Sequence, residues 1–242
     1  MFRKKIILVG GHISSGKNQF AQYLKEADVF KEYGENIRLD MFAHSLKHWA
    51  ANDFQNLSNV LNNIADEVLN QISSKGCQQC EKRIEIEKVL KKLRFDYHNW
   101  FENKTEITRT LLQTYGTEIM RQHVKDNFWA EDTKSRIKAD SNSKVVIITD
   151  FRFPNEAETI RDDDWDLYTI RIDRNVNTAE NIASHASETS LDDYTNWSYI
   201  VVNDVDTTLK QLSNMAQTVA KDIFYDEQQW LPWPIWINSI GQ

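Results

Sequence analysis

Short apolar runs ending in glycine, aspartate or asparagine recur along this chain, and the stretches between them carry apolar residues three or four apart. The first run, Lys5 to Val9, stops at a glycine pair and reads as a buried parallel strand. After it, Phe20, Ala21 and Leu24 share one face of a helix predicted from about Lys17 to Ala27. "NIRLDMFAHSLKHWA" repeats the plan, with a strand near Ile37 to Phe42 and a helix from about Ser45. Three more runs, "KVVIITD", "DLYTIRI" and "SYIVVND", predict strands, the first fully buried and ending in a carboxylate. "TEITRTLLQTYGTEIMRQHVKDNFWAEDTKSRIKA" predicts helix with a break near Asn127, and a further helix is expected from about Asp206 to Phe224. Strands alternating with helices imply an α/β fold: three layers around a mostly parallel sheet of about five strands.

Three segments depart from this rhythm within what reads as a single domain, 1–242. Residues 53–104 are rich in Asn, Gln, Lys and Glu; apolar positions Val60, Ile64, Val68 and Ile72, then Ile84, Ile86, Val89 and Leu93, predict two polar-surfaced helices joined by "SSKGCQQC". We read them as a helical insertion, and the run "EKRIEIEKVLKKLR" as a solvated helix face. Residues 173–197 form a polar, lid-like segment. In 226–242, Trp230, Trp233 and Trp236 recur every three residues, while Pro232 and Pro234 forbid a regular helix. Such a tail either packs across its own domain or makes a homodimer or partner contact.

Charge and composition narrow the classes. With 29 Lys plus Arg against 36 Asp plus Glu, the net charge of -7 argues against stable, broad nucleic-acid binding. No apolar run approaches the roughly 20 residues that span a membrane, and "MFRKKIILVGG" is too short and too soon broken by glycine for a signal peptide, so a cytoplasmic protein is expected. Cys77 and Cys80 lack the further ligands of a zinc site and read as reduced surface thiols.

Three constellations carry chemistry. "GGHISSGKNQF" approaches the phosphate-loop pattern GxxxxGK[ST], with Gly11, Gly16 and Lys17 in place and Asn18 where a hydroxyl is usual. Between a buried strand and a helix, its amides would converge on an anion, and Lys17 would reach the β- and γ-phosphates of a nucleotide. "IITDFRFPNEAE" delivers Asp150 to a strand's carboxyl end, with Arg152, Pro154, Asn155 and Glu156 on the following turn. Asp150 would bind magnesium through water or hold a substrate network, and Arg152 would neutralise charge on a transferred phosphoryl group; a structural Asp–Arg pair is the alternative. Arg109, Gln113 and Thr117 recur at four-residue intervals along one helix face, where Gly116 would let a ligand approach the backbone; an exposed helix face is the plainer reading.

"GGHISSGKNQFA", "DMFAHSLK", "RTLLQTYGTEIMRQHVKDNFWA", "VVIITDFRFPNEAETIR" and "HASETSL" together resemble the tailed-phage deoxynucleoside monophosphate kinases, a family of P-loop nucleotide kinases. The resemblance spans nearly the whole chain apart from the insertion and the tail, and "LLQTYGTE" and "TDFRFPNE" are its most specific parts. It implies a P-loop kinase core, ATP and Mg2+ as cofactors, and transfer of the ATP γ-phosphate to a deoxynucleoside monophosphate in the host bacterial cytoplasm. By the resemblance, Ser14, Ser15, Gly16, Lys17 and Asn18 match the ATP phosphate cradle; Gln113, Gly116, Thr117 and Trp129 match the monophosphate pocket, with Trp129 stacking on or walling the base. Arg109 and Arg121 are candidate phosphate contacts; Asp150, Arg152 and Glu156 match the catalytic edge; His185 to Glu188 fall in the lid-like segment, where Arg171 and Arg174 are candidates for adenine or phosphate. The family commonly carries Asp after the loop lysine, so Asn18 replaces a carboxylate with an amide, a poorer magnesium ligand. Either ATP, water and Asp150 hold most of the metal, or the protein is a weakened or specialised member. The rival readings are a P-loop kinase with another acceptor, such as a modified nucleotide or a hydroxymethylated DNA base, and a non-catalytic nucleotide-binding protein.

Overall fold

Ile6, Ile7, Leu8 and Val9 have no exposed surface. Because successive strand side chains point to opposite faces, a strand buried at every position must lie inside a sheet covered on both sides. A computed structural model shows this arrangement and describes residues 3–31, 36–74, 105–174, 186–225 and 234–238. Strand β1 (Lys4–Gly10) pairs in parallel with β3 (Val145–Phe151) on one side and β4 (Trp165–Asp173) on the other. Beyond β3 lies β2 (Ile37–Asp40), and beyond β4 lie β5 (Tyr199–Val202) and β6 (Ile235–Ile237). The sheet order is β2-β3-β1-β4-β5-β6, with every pair parallel.

The sixth strand exceeds the expected five and comes from the Trp-rich tail. Past Pro234, which excludes helix, Ile235 and Ile237 are half-buried while Trp236 is 61% exposed, the alternation of an edge strand. Trp230 and Trp233 lie outside the described residues, as do the CQQC pair and the helix expected around Ile84–Leu93.

Helices α1 (Lys17–Lys25), α2 (Asp28–Lys31) and α8 (Leu209–Tyr225) cover one face, burying Phe20, Leu24, Val219 and Ile223 against Ile7, Ile147 and Ile170. Ile6, Leu8, Val146 and Ile148 point the other way and are equally buried. Helices α5 (Phe128–Ala139) and α6 (Pro154–Ile160) pack together and bury Ile137 and Ile160; the short α7 (Ala186–Thr189) precedes β5.

These elements belong to a compact unit made of Met1–Ala43 and His123–Gln242; a second unit is His44–Gln122. In the second, the helix predicted from Ser45 and the first helix of the insertion are one continuous α3 (Ala43–Ser74), since no breaker interrupts the periodicity. Helix α4 (Glu106–Gln113) starts at a reciprocal cap in which Thr105 and Thr108 each accept the other's backbone N–H. It runs into a π-helix (Thr114–Val124), where the Tyr115 hydroxyl donates to Asp53 Oδ2 at 2.5 Å. The expected break falls between Val124 and Phe128. Among the described residues no helix is long and apolar enough to cross a membrane.

Ile147 is fully buried in the central part of the sheet, so Ile147→Ala should cost about 2–5 kcal/mol, read as a lower midpoint in urea unfolding.

Candidate phosphate-binding site

The chain leaves β3 and crosses β1 to begin β4, and this reversal opens a crevice at the carboxyl ends of β1 and β3. Into it runs the loop after β1. Gly11 has φ +139° and Gly16 φ +95°, conformations that side chains rarely adopt. Space also demands glycine: a Cβ at Gly11 would overlap the Ile172 carbonyl oxygen, and one at Gly16 would stand 2.6 Å from Asn203 Nδ2. Helix α1 begins at Lys17 with no side-chain cap, leaving its first amides open to an anion.

The loop's carbonyls are tied. Lys17 Nζ donates to Gly11 O at 2.7 Å and His12 O at 2.5 Å, Arg174 donates to Ser14 O at 3.1 Å, and Asn203 Nδ2 donates to Ser15 O at 2.8 Å. Ser15 Oγ, in contrast, is buried without a hydrogen-bond partner among the described residues. A phosphate oxygen supplies what such a hydroxyl lacks, and the open amides at the start of α1 face the same loop, so the loop fits a nucleotide's phosphates. Asn18 is exposed in the first turn of α1.

At the end of β3, Arg152 donates to Glu188 Oε1 at 2.6 Å and to the Ser187 carbonyl and hydroxyl, each at 3.3 Å. The Glu188 side chain is only 5% exposed. Burial and the neighbouring Arg152 guanidinium push Lys17 down to about 8, with Glu188 and Asp150 partly offsetting them. Lys17, Asp150, Arg152 and Glu188 therefore share one electrostatic neighbourhood. Beside it lies a cleft lined by His12, Phe151, Arg152, Arg171, Leu191 and Trp197, and two of these rings, Phe151 and Trp197, pack edge-to-face with each other and with Tyr194.

Two acidic residues expected to face a ligand are engaged with the backbone. Glu156 is buried, and its Oε2 accepts from Arg152 N at 2.8 Å and Phe153 N at 3.0 Å, closing the start of α6. It holds the turn that presents Arg152 and does not face the crevice. Asp150 accepts from Phe42 N at 2.7 Å through one oxygen and from Ala43 N at 2.9 Å through the other, capping α3. Burial still raises its carboxyl above the ordinary range, against the pull of these bonds and of Arg152. Only the remaining lone pairs of its oxygens are left for a water-mediated contact. Among the described residues no group of three His, Cys, Asp or Glu side chains could hold a metal ion.

The candidate monophosphate residues lie mostly in the second unit. Arg109 is exposed, Gln113 and Thr117 are half-buried, and Arg121 is buried. The four-residue stripe of Arg109, Gln113 and Thr117 assumed α-helical pitch; Thr117, like Arg121, sits in the π-helix, whose i→i+5 bonds make a wider turn and move Thr117 off that line. The space beside Gly116 is filled by Leu46, whose methyl carbons lie 3.0 and 3.1 Å from where a Cβ would be, so this glycine serves helix packing. Trp129, in the first unit, is 4% exposed and edge-to-face with Phe128 at 4.9 Å; no open ring face remains to stack on a base. His185 lies outside the described residues. Asn203 was not among the expected residues, although it follows an apolar strand just as Asp150 ends one.

A parallel sheet in this order, whose first strand feeds a glycine loop and an uncapped helix, defines a P-loop kinase fold. A family model described as deoxynucleotide monophosphate kinase matches residues 46–215, and the chain belongs to that family. It is also 43% identical over 54 residues to the deoxynucleoside-5'-monophosphate kinase of Escherichia phage T5, a match covering 22% of this chain and about a fifth (21%) of that protein's length. The glycine loop precedes the residues matched by the family model, so its reading rests on the geometry above.

Glu156→Ala leaves two partly buried N–H groups without an acceptor and should lower stability by about 1–3 kcal/mol, read by thermal unfolding. Glu156→Gln keeps an acceptor oxygen and should retain most of that stability.

Proposed function

We propose that this protein phosphorylates deoxynucleoside monophosphates, transferring the γ-phosphate of ATP to give a deoxynucleoside diphosphate and ADP. The observation that carries the reading is the loop: glycines at positive φ, tied carbonyls, an orphaned buried Ser15 hydroxyl, and Lys17 beside Arg152. Family membership supplies the acceptor class, and the phage relative supports action in an infected bacterial cytoplasm.

The loop amides and Lys17 would hold the β- and γ-phosphates, and the ionised acceptor phosphate would attack in line without a general base. Arg152 would exchange Glu188 for the transferred phosphoryl group and neutralise its developing charge. Magnesium, when bound with ATP, neutralises phosphate charge; Asn18, in the first turn of α1, and Asp150, through water, are the side chains on hand to help hold it. Arg109, Gln113, Thr117 and Arg121 are proposed for the monophosphate side.

A panel of deoxynucleoside monophosphates assayed with ATP tests the reading, and ADP formation with none of them would sink it. Lys17→Ala and Arg152→Ala should each lower turnover about 100- to 1,000-fold with the fold retained by circular dichroism. The depressed Lys17 adds a pH signature. Free protein loses the Lys17 proton as pH rises through about 8, and phosphate binding favours the protonated form, so the Michaelis constant for ATP should climb between pH 7 and 9. Lys17→Arg, which keeps its charge, should flatten that climb.

A further inference from the structure

Asn203 stands one residue beyond β5, where its backbone N–H donates to Asp173 O at 2.7 Å. Its side chain is buried, with the residue 6% exposed, and lies beneath the phosphate loop. Nδ2 donates to Ser15 O at 2.8 Å, a buried contact spanning 188 residues of sequence. In a trans peptide the carbonyl and the next residue's N–H point in opposite directions. Fixing Ser15 O toward Asn203 therefore turns the Gly16 N–H away from it, to the side that a phosphate must occupy. The same amide sits 2.6 Å from the position of a Gly16 Cβ, which ties the glycine at this place to the residue at the end of β5.

We infer that Asn203 is a positioning residue for the nucleotide's phosphates, acting through the Ser15 carbonyl to aim the Gly16 amide. Arg174 does the corresponding work one peptide earlier, at Ser14 O, but from a half-buried position and over 3.1 Å. Asn203 is the shorter and more enclosed anchor. A neutral amide suits the place: it donates to the carbonyl without adding the charge repulsion that already depresses Lys17. The inference rests on the loop's reading as an ATP site and is independent of which acceptor receives the phosphoryl group.

Titration calorimetry on the intact chain, with ATP and separately with inorganic tripolyphosphate, tests it. Asn203→Ala should weaken both ligands about tenfold, the loss of one buried hydrogen bond that holds the cradle. Asn203→Asp, of the same shape but unable to donate when ionised, should weaken both further, and it carries the same test if the alanine variant does not fold. Weaker ATP binding with unchanged tripolyphosphate binding would place Asn203 on the base or ribose and overturn the inference. So would a lower melting temperature with both affinities unchanged, the result of a purely structural role. If wild type binds ATP with the expected dependence on Asn203 but phosphorylates no deoxynucleotide, the proposed reaction fails and this inference stands.

Discussion

Two cations, Lys17 and Arg152, are held close together at the partly desolvated edge of a parallel sheet, and most of the site can be understood as the management of that repulsion. Removing charge from water is costly, and a like charge nearby adds to the cost, which is why Lys17 titrates near 8. The protein meets the cost with whatever negative charge or dipole it can bring. Lys17 folds onto two carbonyls of its own loop, Arg152 takes the carboxylate of Glu188, and Asp150 lends part of its charge while capping a helix. Each of these partners is weaker than a polyphosphate, so a nucleotide bound there as proposed would replace makeshift compensation with a better match.

The backbone around this pair is organised by polar side chains. Glu156 fixes the turn carrying Arg152, Asp150 fixes the start of α3, and Asn203 and Arg174 fix successive peptides of the loop. Polar groups at the carboxyl edge are thus consumed in orienting the backbone. Such an arrangement is preorganised: little has to rotate when charge arrives.

The sheet strands were legible because each is a short apolar run closed by a polar residue, and the loop was legible because Gly11, Gly16 and Lys17 keep their spacing after β1. What sequence spacing missed was long-range pairing. That Asp150 would spend both oxygens on Phe42 and Ala43 depends on a contact 107 to 108 residues away, which no local pattern encodes. The even pitch assumed for Arg109, Gln113 and Thr117 does not hold at Thr117 for a different reason, since a π-helix and an α-helix look alike in a list of apolar positions. Trp129 was read from its place in a motif as stacking on or walling a base, and its burial speaks against the stacking. Ile235 to Ile237 were too short a run, too close to prolines, to be recognised as a strand.

That last strand has a consequence for how the chain is made. β6 pairs with β5 although Val202 and Ile235 are separated by the whole of α8, so β5 has an open edge until residues past 235 have left the ribosome. A nascent chain that already holds β1 to β5 exposes the backbone groups of Tyr199, Ile200 and Val201 for the time needed to synthesise that helix and the residues up to Ile235. The tail with its tryptophan serves as a late clasp, and the interval before it closes is when this protein is most open to pairing with the wrong strand.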